Sequence, residues 1–263
     1  MGGRFVLKLM ITVISFFILK NAGAQITPPG LGEGHTAGWL AAGVAQALDS
    51  LETRKLVTYV GYGRKSRPDD FNLVEKEALW VLNQEYQHHF RKHWQYSAAL
   101  SYRRQHEYEK EPPFGETVPG IKQEFRLYGR LYYLLKGNRW KTAIVLRQEL
   151  RKFFTTDFRN WPETFQARTR LKVHWAYSLS KNAVHKLSLG AETIFGIRKK
   201  SGEWSGFDYL ETRLTTYYSL SPQKIPVDFN IGYMGNLLAG KPGAVHYLAM
   251  DIIWKNPFHF HRN

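Results

Sequence analysis

Residues 121–133 read IKQEFRLYGRLYY and alternate regularly between polar and apolar side chains. Successive side chains of a β-strand point to opposite faces, so a strand here has one charged face and one apolar face. The charged face carries Lys122, Glu124, Arg126, Tyr128 and Arg130, and the apolar face carries Phe125, Leu127, Leu131 and Tyr133. A typical strand has about five or six residues, so this stretch is unusually long. The same pattern recurs along the chain. It favours a membrane β-barrel, in which one face lines a polar lumen and the other contacts lipid.

The first 24 residues have the organisation of a secretory signal peptide. Arg4 and Lys8 precede an apolar run at 9–19, and the small residues Ala22, Gly23 and Ala24 follow it. About 20 apolar residues are needed to span a bilayer, so this run is too short for a membrane anchor. We therefore expect cleavage after Ala24 and export to the outer membrane of a Gram-negative cell.

The composition supports an envelope protein and excludes several other classes. The chain has no cysteine, so it forms no disulfide and cannot be anchored through a lipidated cysteine. Every later apolar stretch is interrupted by charge, so no transmembrane helix is predicted. The aromatic content is high, with eight Trp, 15 Tyr and 16 Phe, as expected of a barrel with aromatic girdles. The net charge is +15, but the basic residues alternate with Glu on strand faces, which favours lumenal ion pairs over a nucleic-acid surface.

Ten strands are predicted, with short and long connections alternating between them. The strands lie near residues 55–64, 76–88, 94–106, 121–135, 141–153, 163–177, 184–198, 207–220, 226–236 and 245–255. Outer-membrane barrels have short periplasmic turns, longer outer loops and an even number of strands. The predicted fold is therefore all-β: a transmembrane, antiparallel up-and-down barrel of about ten strands, with twelve as the alternative.

The predicted organisation has four parts. A signal peptide at 1–24 is followed by an N-terminal lead-in at 25–53, the barrel at 54–256 and a C-terminal tail at 257–263. Residues 25–35 are rich in Pro and Gly and are expected to be flexible. The segment from Trp39 to Leu48 reads WLAAGVAQAL and fits either a strand or an Ala-rich helix. A strand would make the count odd or place the N-terminus outside, so we favour a short helix or a periplasmic or lumenal plug.

Acidic and basic residues of the predicted lumen recur on neighbouring strands, where cross-strand neighbours pair. The predicted charge network contains Glu124, Arg126, Arg130, Arg147, Glu149, Arg151, Arg168, Arg170, Glu192, Glu211 and Arg213. Since side chains largely fill a small barrel, a packed interior of ion pairs is the favoured interpretation. A narrow anion-preferring channel lined by arginine is the alternative.

Catalytic and metal-binding patterns are weaker. An omptin-like hydrolase uses acidic residues and a histidine at the outer rim, and the candidates are Asp69, Asp70, Asp157, Asp208 and His106. No motif connects them. A phospholipase needs a Ser–His pair on the outer wall, but His174 and Ser188 are predicted to face the lumen. The pairs His88-His89 and His259-x-His261 are metal-ligand types, but a turn and a solvated tail explain them better. We predict no enzyme activity, no metal and no cofactor.

Several stretches resemble one protein family. These are Leu82-Asn83-Gln84-Glu85, Trp94-Gln95-Tyr96-Ser97 with Tyr102-Arg103-Arg104, Lys122-Gln123-Glu124-Phe125-Arg126, and Arg147-Gln148-Glu149-Leu150-Arg151. Together with the barrel pattern, they are similar to Gram-negative outer-membrane proteins grouped as domain of unknown function 2490, over most of the mature chain. The resemblance implies a β-barrel and an envelope location, and no ligand or catalytic residue. The chain departs from the usual assembly signal, because Lys255 to Asn263 follow the aromatic Trp254. The expected partners are outer-membrane lipid and a small polar or anionic ligand, with no nucleic acid, and the expected state is a monomer.

Overall fold

The computed structural model describes residues 26–32, 34–241 and 243–258. The predicted signal peptide and the pair His259 and His261 lie outside the described residues. The described residues form β-strands and contain no helix. Accordingly, this part of the chain has no helix that is long and apolar enough to cross a membrane.

Eleven strands close into a barrel, and a twelfth, very short strand extends one hairpin. The strands are β1 (Thr36–Ala47), β2 (Arg54–Lys65), β3 (Lys76–Arg91), β4 (Trp94–Tyr108), β5 (Glu116–Lys136), β6 (Trp140–Phe154), β7 (Asn160–Ser178), β8 (His185–Lys200), β9 (Glu203–Trp204), β10 (Asp208–Leu220), β11 (Val227–Leu238) and β12 (Ala244–Lys255). Consecutive strands pair antiparallel, and β10 pairs with β8 beyond the two-residue β9. β1 and β12 pair in parallel and close the sheet. The all-β barrel is as predicted, but its sheet is mixed rather than wholly antiparallel.

The segment from Trp39 to Leu48 forms most of β1, so the prediction of a helix there is wrong. The barrel accordingly begins at Thr36 rather than at residue 54 and has eleven strands rather than ten. Each hairpin reverses the chain, so the first and the eleventh strand run in the same direction. They pair in parallel, with Leu40 beside Met250. Pairing with β2 and β12 overrides the helical preference of the alanines, since tertiary context routinely outweighs propensity.

The residues before β1 lie inside the barrel. We call residues 26–32 and 34 the lumenal segment. Ile26 and Leu31 are 4% and 1% exposed and pack in the apolar cluster that also contains Trp39. Ile26 lies near Gly43, in the second half of β1. Gly34 lies beside Ser66, at the level where β1 begins. The segment therefore runs along the lumen opposite to β1 and then turns back into it. Its described part is packed, in contrast to the flexible lead-in that we predicted.

The predicted long connections are shorter than expected, because the strands extend into them. β5 begins at Glu116, so that only residues 109–115 join it to β4. β3 to β8 have 15 to 21 residues, whereas β1, β2 and β10 to β12 have 12 or 13. The β3–β8 side of the barrel is therefore the taller one.

Candidate functional site

The lumen has two chemically different halves. The apolar half is formed by β1 to β3 and β10 to β12, and its buried residues include Trp39, Leu79, Val81, Met234, Tyr247 and Ile253. The charged half is formed by inward-facing residues of β4 to β8 and β10. The lumenal segment lies between the two halves, since its side chains join the apolar cluster and its carbonyl groups meet cations.

Glu124 on β5 is the first centre of the charged half. It is 1% exposed and lies opposite Arg103 of β4. Its carboxylate accepts hydrogen bonds from Arg126 Nε at 2.7 Å and from Arg151 Nε at 2.8 Å. Arg103 Nη1 approaches it at 3.5 Å. Three guanidinium groups thus surround one buried carboxylate.

Glu149 on β6 is the second centre. Its side chain is 0% exposed, and its Oε1 accepts a hydrogen bond from Arg170 Nη1 at 2.8 Å. Arg147 forms a closer ion pair with the same oxygen. Arg126 Nη1 lies 3.6 Å away. Arg126 therefore joins the two carboxylate centres.

Arg170 continues the network to β8. It binds both oxygens of Glu192, with Nε–Oε1 at 3.1 Å and Nη2–Oε2 at 2.5 Å. The two-point contact fixes the orientation of the guanidinium plane. We call the resulting alternating series the lumenal network; its members are Arg151, Glu124, Arg126, Glu149, Arg170 and Glu192, with Arg103 and Arg147 attached.

Other members of the predicted network lie in separate clusters. Glu211 binds Arg213 at 2.5 Å and accepts a hydrogen bond from Asn236 Nδ2 at 2.8 Å. Arg168 is 3.9 Å from Glu211, which is the limit of an ion pair. Arg130 pairs with Glu85 of β3 at 3.2 Å.

Small side chains on β4 explain how Arg130 reaches a strand that is not its neighbour. Ser97 and Ala99 are buried on the inner face of β4, between β3 and β5. Long side chains of β5 can therefore cross over β4. Tyr128 does the same, donating a hydrogen bond to Asn83 at 2.9 Å. The predicted charge network does not contain Glu85, because pairing rules consider only adjacent strands.

The lumenal segment is bound by cations of the wall. Arg103 Nη2 donates to the Gly30 carbonyl at 3.1 Å, and Arg213 Nη1 donates to the Pro28 carbonyl at 3.5 Å. The segment reads ITPPGLG from Ile26 to Gly32. Its two prolines have no N–H group, so this stretch offers mainly acceptors. That is the one sequence signal that could have indicated a cation-lined location for it.

Cations outnumber carboxylates in this half. Among the described residues of this half, the cations include Arg103, Arg126, Arg130, Arg147, Arg151, Arg168, Arg170, Lys172 and Arg213, and the carboxylates include Glu85, Glu124, Glu149, Glu192 and Glu211. Backbone carbonyls of the lumenal segment serve as further acceptors. The lumen consequently favours neutral or anionic occupants over cations.

The predicted catalytic candidates are not brought together. The carboxylates next to His106 are Glu116, at 2.8 Å, and Glu77, at 3.5 Å. Asp69 and Asp70 instead pair with Arg67. Asp157 pairs with Arg159, and Asp208 begins β10. Within the described ranges, none of these aspartates lies within ion-pair distance of His106.

The other candidate residues also lack the arrangement that their proposed chemistry requires. Ser188 is buried and, like His174 on the adjacent strand, has the lumenal register, whereas a phospholipase site requires the outer wall. His88 is half-buried and contacts the Tyr96 hydroxyl at 3.2 Å. No group of three or more His, Asp or Glu residues suited to a metal ion is found within the described residues.

The outer face of the barrel is apolar at mid-height on every barrel strand. Exposed aliphatic side chains there are Leu40, Val60, Leu82, Leu100, Leu127, Leu146, Leu171, Leu189, Leu214, Ile231 and Met250. Leu40 and Met250 are neighbours across the parallel β1–β12 pair. We call this continuous band the apolar belt.

A scan against models of known protein families finds none that matches this chain, and a search of curated proteins finds no significant relative.

Proposed function

We propose that this chain is an integral β-barrel protein of the Gram-negative outer membrane, exported by the signal peptide at 1–24. The apolar belt is the observation that carries the proposal. Soluble monomers rarely expose contiguous apolar patches of more than a few hundred Å². A barrel whose outer face is apolar all round and whose lumen is charged is stable in lipid, because its backbone hydrogen bonds are all internal.

Aromatic residues at both ends of the strands support this placement. Near the short turns, Trp94 packs on Tyr133 and Trp175 stacks on Tyr177, with ring centroids 5.0 and 5.8 Å apart. Near the opposite end, aromatic contacts join Tyr62 with Trp80, Phe125 with Phe154, and Phe195 with Phe207. Membrane barrels carry such girdles at both interfaces. A β-barrel is also the fold that the resemblance to domain of unknown function 2490 implies.

The role that fits this interior is a structural or ligand-binding one in the cell envelope, without bulk diffusion through the lumen. Glu124, Glu149, Arg126 and Arg170 are at most 8% exposed, and the lumenal segment occupies the space between the halves. The proposal assigns no catalytic activity. A hydrolase activity abolished by His106→Ala would contradict that part of it.

Membrane placement is tested by fractionation of the full chain expressed in a Gram-negative host. We expect the protein in the outer-membrane fraction, extracted by detergent but not by carbonate, with slower gel migration after boiling. Recovery as a soluble periplasmic protein would refute the proposal.

A narrow anion channel is the second candidate, and the excess of lumenal cations favours it. The two are separated in planar bilayers by comparing the wild type with a variant that lacks residues 26–34. If the lumen is closed, the wild type gives no stable conductance and the deletion variant conducts anions. Stable anion conductance by the wild type would favour the channel.

A further inference from the structure

A basic groove lies on the outer wall of the barrel, at the end opposite to the short turns. It has a volume of about 710 Å³ and is lined by Lys152, Asn160, Thr164, Phe165, Lys199, Gly202 and Trp204. Lys152, Phe165 and Lys199 are register neighbours on β6, β7 and β8, so they form one row across three strands. Phe165 contacts Trp204 at 5.7 Å between ring centroids.

The two lysines of this row have no carboxylate partner. The Lys199 ammonium lies 5.6 Å from the centre of the Trp204 ring, and the Lys152 ammonium lies 5.2 Å from that of Phe154. No carboxylate of the described residues is within ion-pair distance of either lysine. The nearby acids, Glu163 and Glu203, are the register partners of Lys200 instead. Among the described residues, the groove thus presents two lysines that form no ion pair.

The height of the row coincides with a membrane interface. Trp140, the first residue of β6 at the short-turn end, lies twelve positions before Lys152 on the same strand. At about 3.4 Å per residue and a tilt of about 40°, this distance corresponds to about 30 Å along the membrane normal, which is the thickness of the hydrocarbon core. Lys152 is thus placed where lipid headgroups begin.

The next row toward the membrane centre provides a path for acyl chains. Ala167 lies between Leu150 and Ile197 on the neighbouring strands. The three side chains form an apolar row directly below the lysine row, with the smallest of them in the middle. A headgroup held by the lysines would therefore have its chains aligned with an apolar surface.

We propose that this groove binds the phosphorylated headgroup of a membrane lipid, with Lys152 and Lys199 on the phosphate and Trp204 beside the headgroup. The longer connections, such as residues 66–75 and 109–115, lie at this end, and longer connections mark the external side of outer-membrane barrels, so the lipid is one of the outer leaflet. The inference rests on the proposed membrane placement. The groove is a binding site outside the lumen, and its ligand is a lipid.

Binding is measured by native mass spectrometry of the full chain purified in non-ionic detergent, titrated with diphosphorylated lipid A. We expect Lys152→Gln/Lys199→Gln to bind about 30-fold more weakly, since each lysine near a membrane surface contributes about fivefold to affinity for anionic lipid. The matched control, Lys92→Gln/Lys181→Gln, removes the same charge from the opposite rim and should bind as the wild type does. Dephosphorylated lipid A should bind the wild type as weakly as the phosphorylated lipid binds the groove variant.

Equal binding by the groove variant, with its heat-modifiable migration intact, would overturn the inference, as would equal binding of the dephosphorylated lipid. Full competition by millimolar inorganic phosphate would also contradict it, because the groove would then be a small-anion site. Failure of the protein to partition into detergent would refute the membrane placement itself. A barrel that partitions into detergent but whose lipid binding does not depend on these lysines would refute only the lipid site.

Discussion

Replacing Glu149 with glutamine removes the negative charge at the centre of the lumenal network while keeping its shape. All three guanidinium contacts of Glu149, from Arg147, Arg170 and Arg126, are made to Oε1. The other oxygen, Oε2, is buried and has no hydrogen-bond partner. The glutamine amide can therefore place its oxygen at Oε1 and its NH₂ group at Oε2, so the change is almost purely electrostatic.

The magnitude follows from these contacts. A hydrogen bond to a charged group contributes about 1.5–3 kcal/mol, and a neutral acceptor retains about half of that. Weakening the bonds from Arg147 and Arg170 then costs about 1.5–3 kcal/mol, to which the lost attraction of Arg126 is added. Breaking a buried ion pair typically costs about 3–5 kcal/mol. We expect Glu149→Gln to lower the free energy of unfolding by about 3 kcal/mol.

Arg147 is the partner whose removal should restore stability. Arg126 still has Glu124 and Arg170 still has Glu192, whereas Glu149 is the carboxylate that Arg147 contacts. The double variant Glu149→Gln/Arg147→Gln should regain at least about half of the loss, since removing both members of a buried pair can be nearly neutral. The control, Glu149→Gln/Arg159→Gln, has the same net charge but changes a side chain that is 85% exposed.

The assay is urea unfolding in lipid vesicles, followed by tryptophan fluorescence and by heat-modifiable gel migration. Equal recovery in the Arg159 control would indicate an effect of total charge rather than of the network. A loss below about 1 kcal/mol for Glu149→Gln, without any change in the double variant, would show that the lumen is hydrated. The packed interior would then be wrong.

Two further predictions concern the other surfaces of the barrel. Leu171 is 52% exposed in the apolar belt, and Leu171→Arg should destabilise the barrel in vesicles by about 2–4 kcal/mol if it lies near the midplane. Leu171→Ala is the milder control. Unchanged stability of the arginine variant would contradict insertion in the bilayer. Trp39→Ala should cost about 3–5 kcal/mol by opening a cavity in the apolar half. An added Cβ at Gly61 would lie 2.2 Å from the Trp39 ring, so a Gly61→Val change should be less harmful in the Trp39→Ala background than alone; additive unfolding free energies would refute the packing of this indole.

The alternation of side chains predicted most of the barrel wall. Phe125 and Leu127, which the alternation predicts on the apolar face, are 46% and 51% exposed. Where the lumen is charged, the two faces of a strand differ strongly in polarity and the pattern is visible. β1 lacks this signal, because its inner face borders the apolar half and its outer face belongs to the apolar belt. Its small apolar residues consequently read equally well as a helix.

Contacts between strands that are not neighbours could not be predicted from the sequence. Arg130 belongs to the predicted network of cross-strand neighbours, and its register partner on β6 is Arg147. Its carboxylate is nevertheless on β3, reached over the small residues of β4. Likewise, the Pro-rich segment before β1 has no periodicity that would indicate a location inside the barrel. In both cases the deciding factor is the space left by other residues, which a one-dimensional pattern does not record.

The lumenal segment and the odd strand number belong to one arrangement. Parallel closure requires β1 and β12 to start at the same end of the barrel, which is the end of the longer connections. The chain that precedes β1 must therefore arrive at that end. It does so through the lumen, rising from the level of Gly43 to that of Ser66 before it enters β1. The described chain thus begins at Ile26, at the level of Gly43 in the second half of β1, and β12 ends toward the same side. The sequence argument against an odd number of strands therefore does not apply, because the lumenal segment adds one more passage of the chain through the barrel.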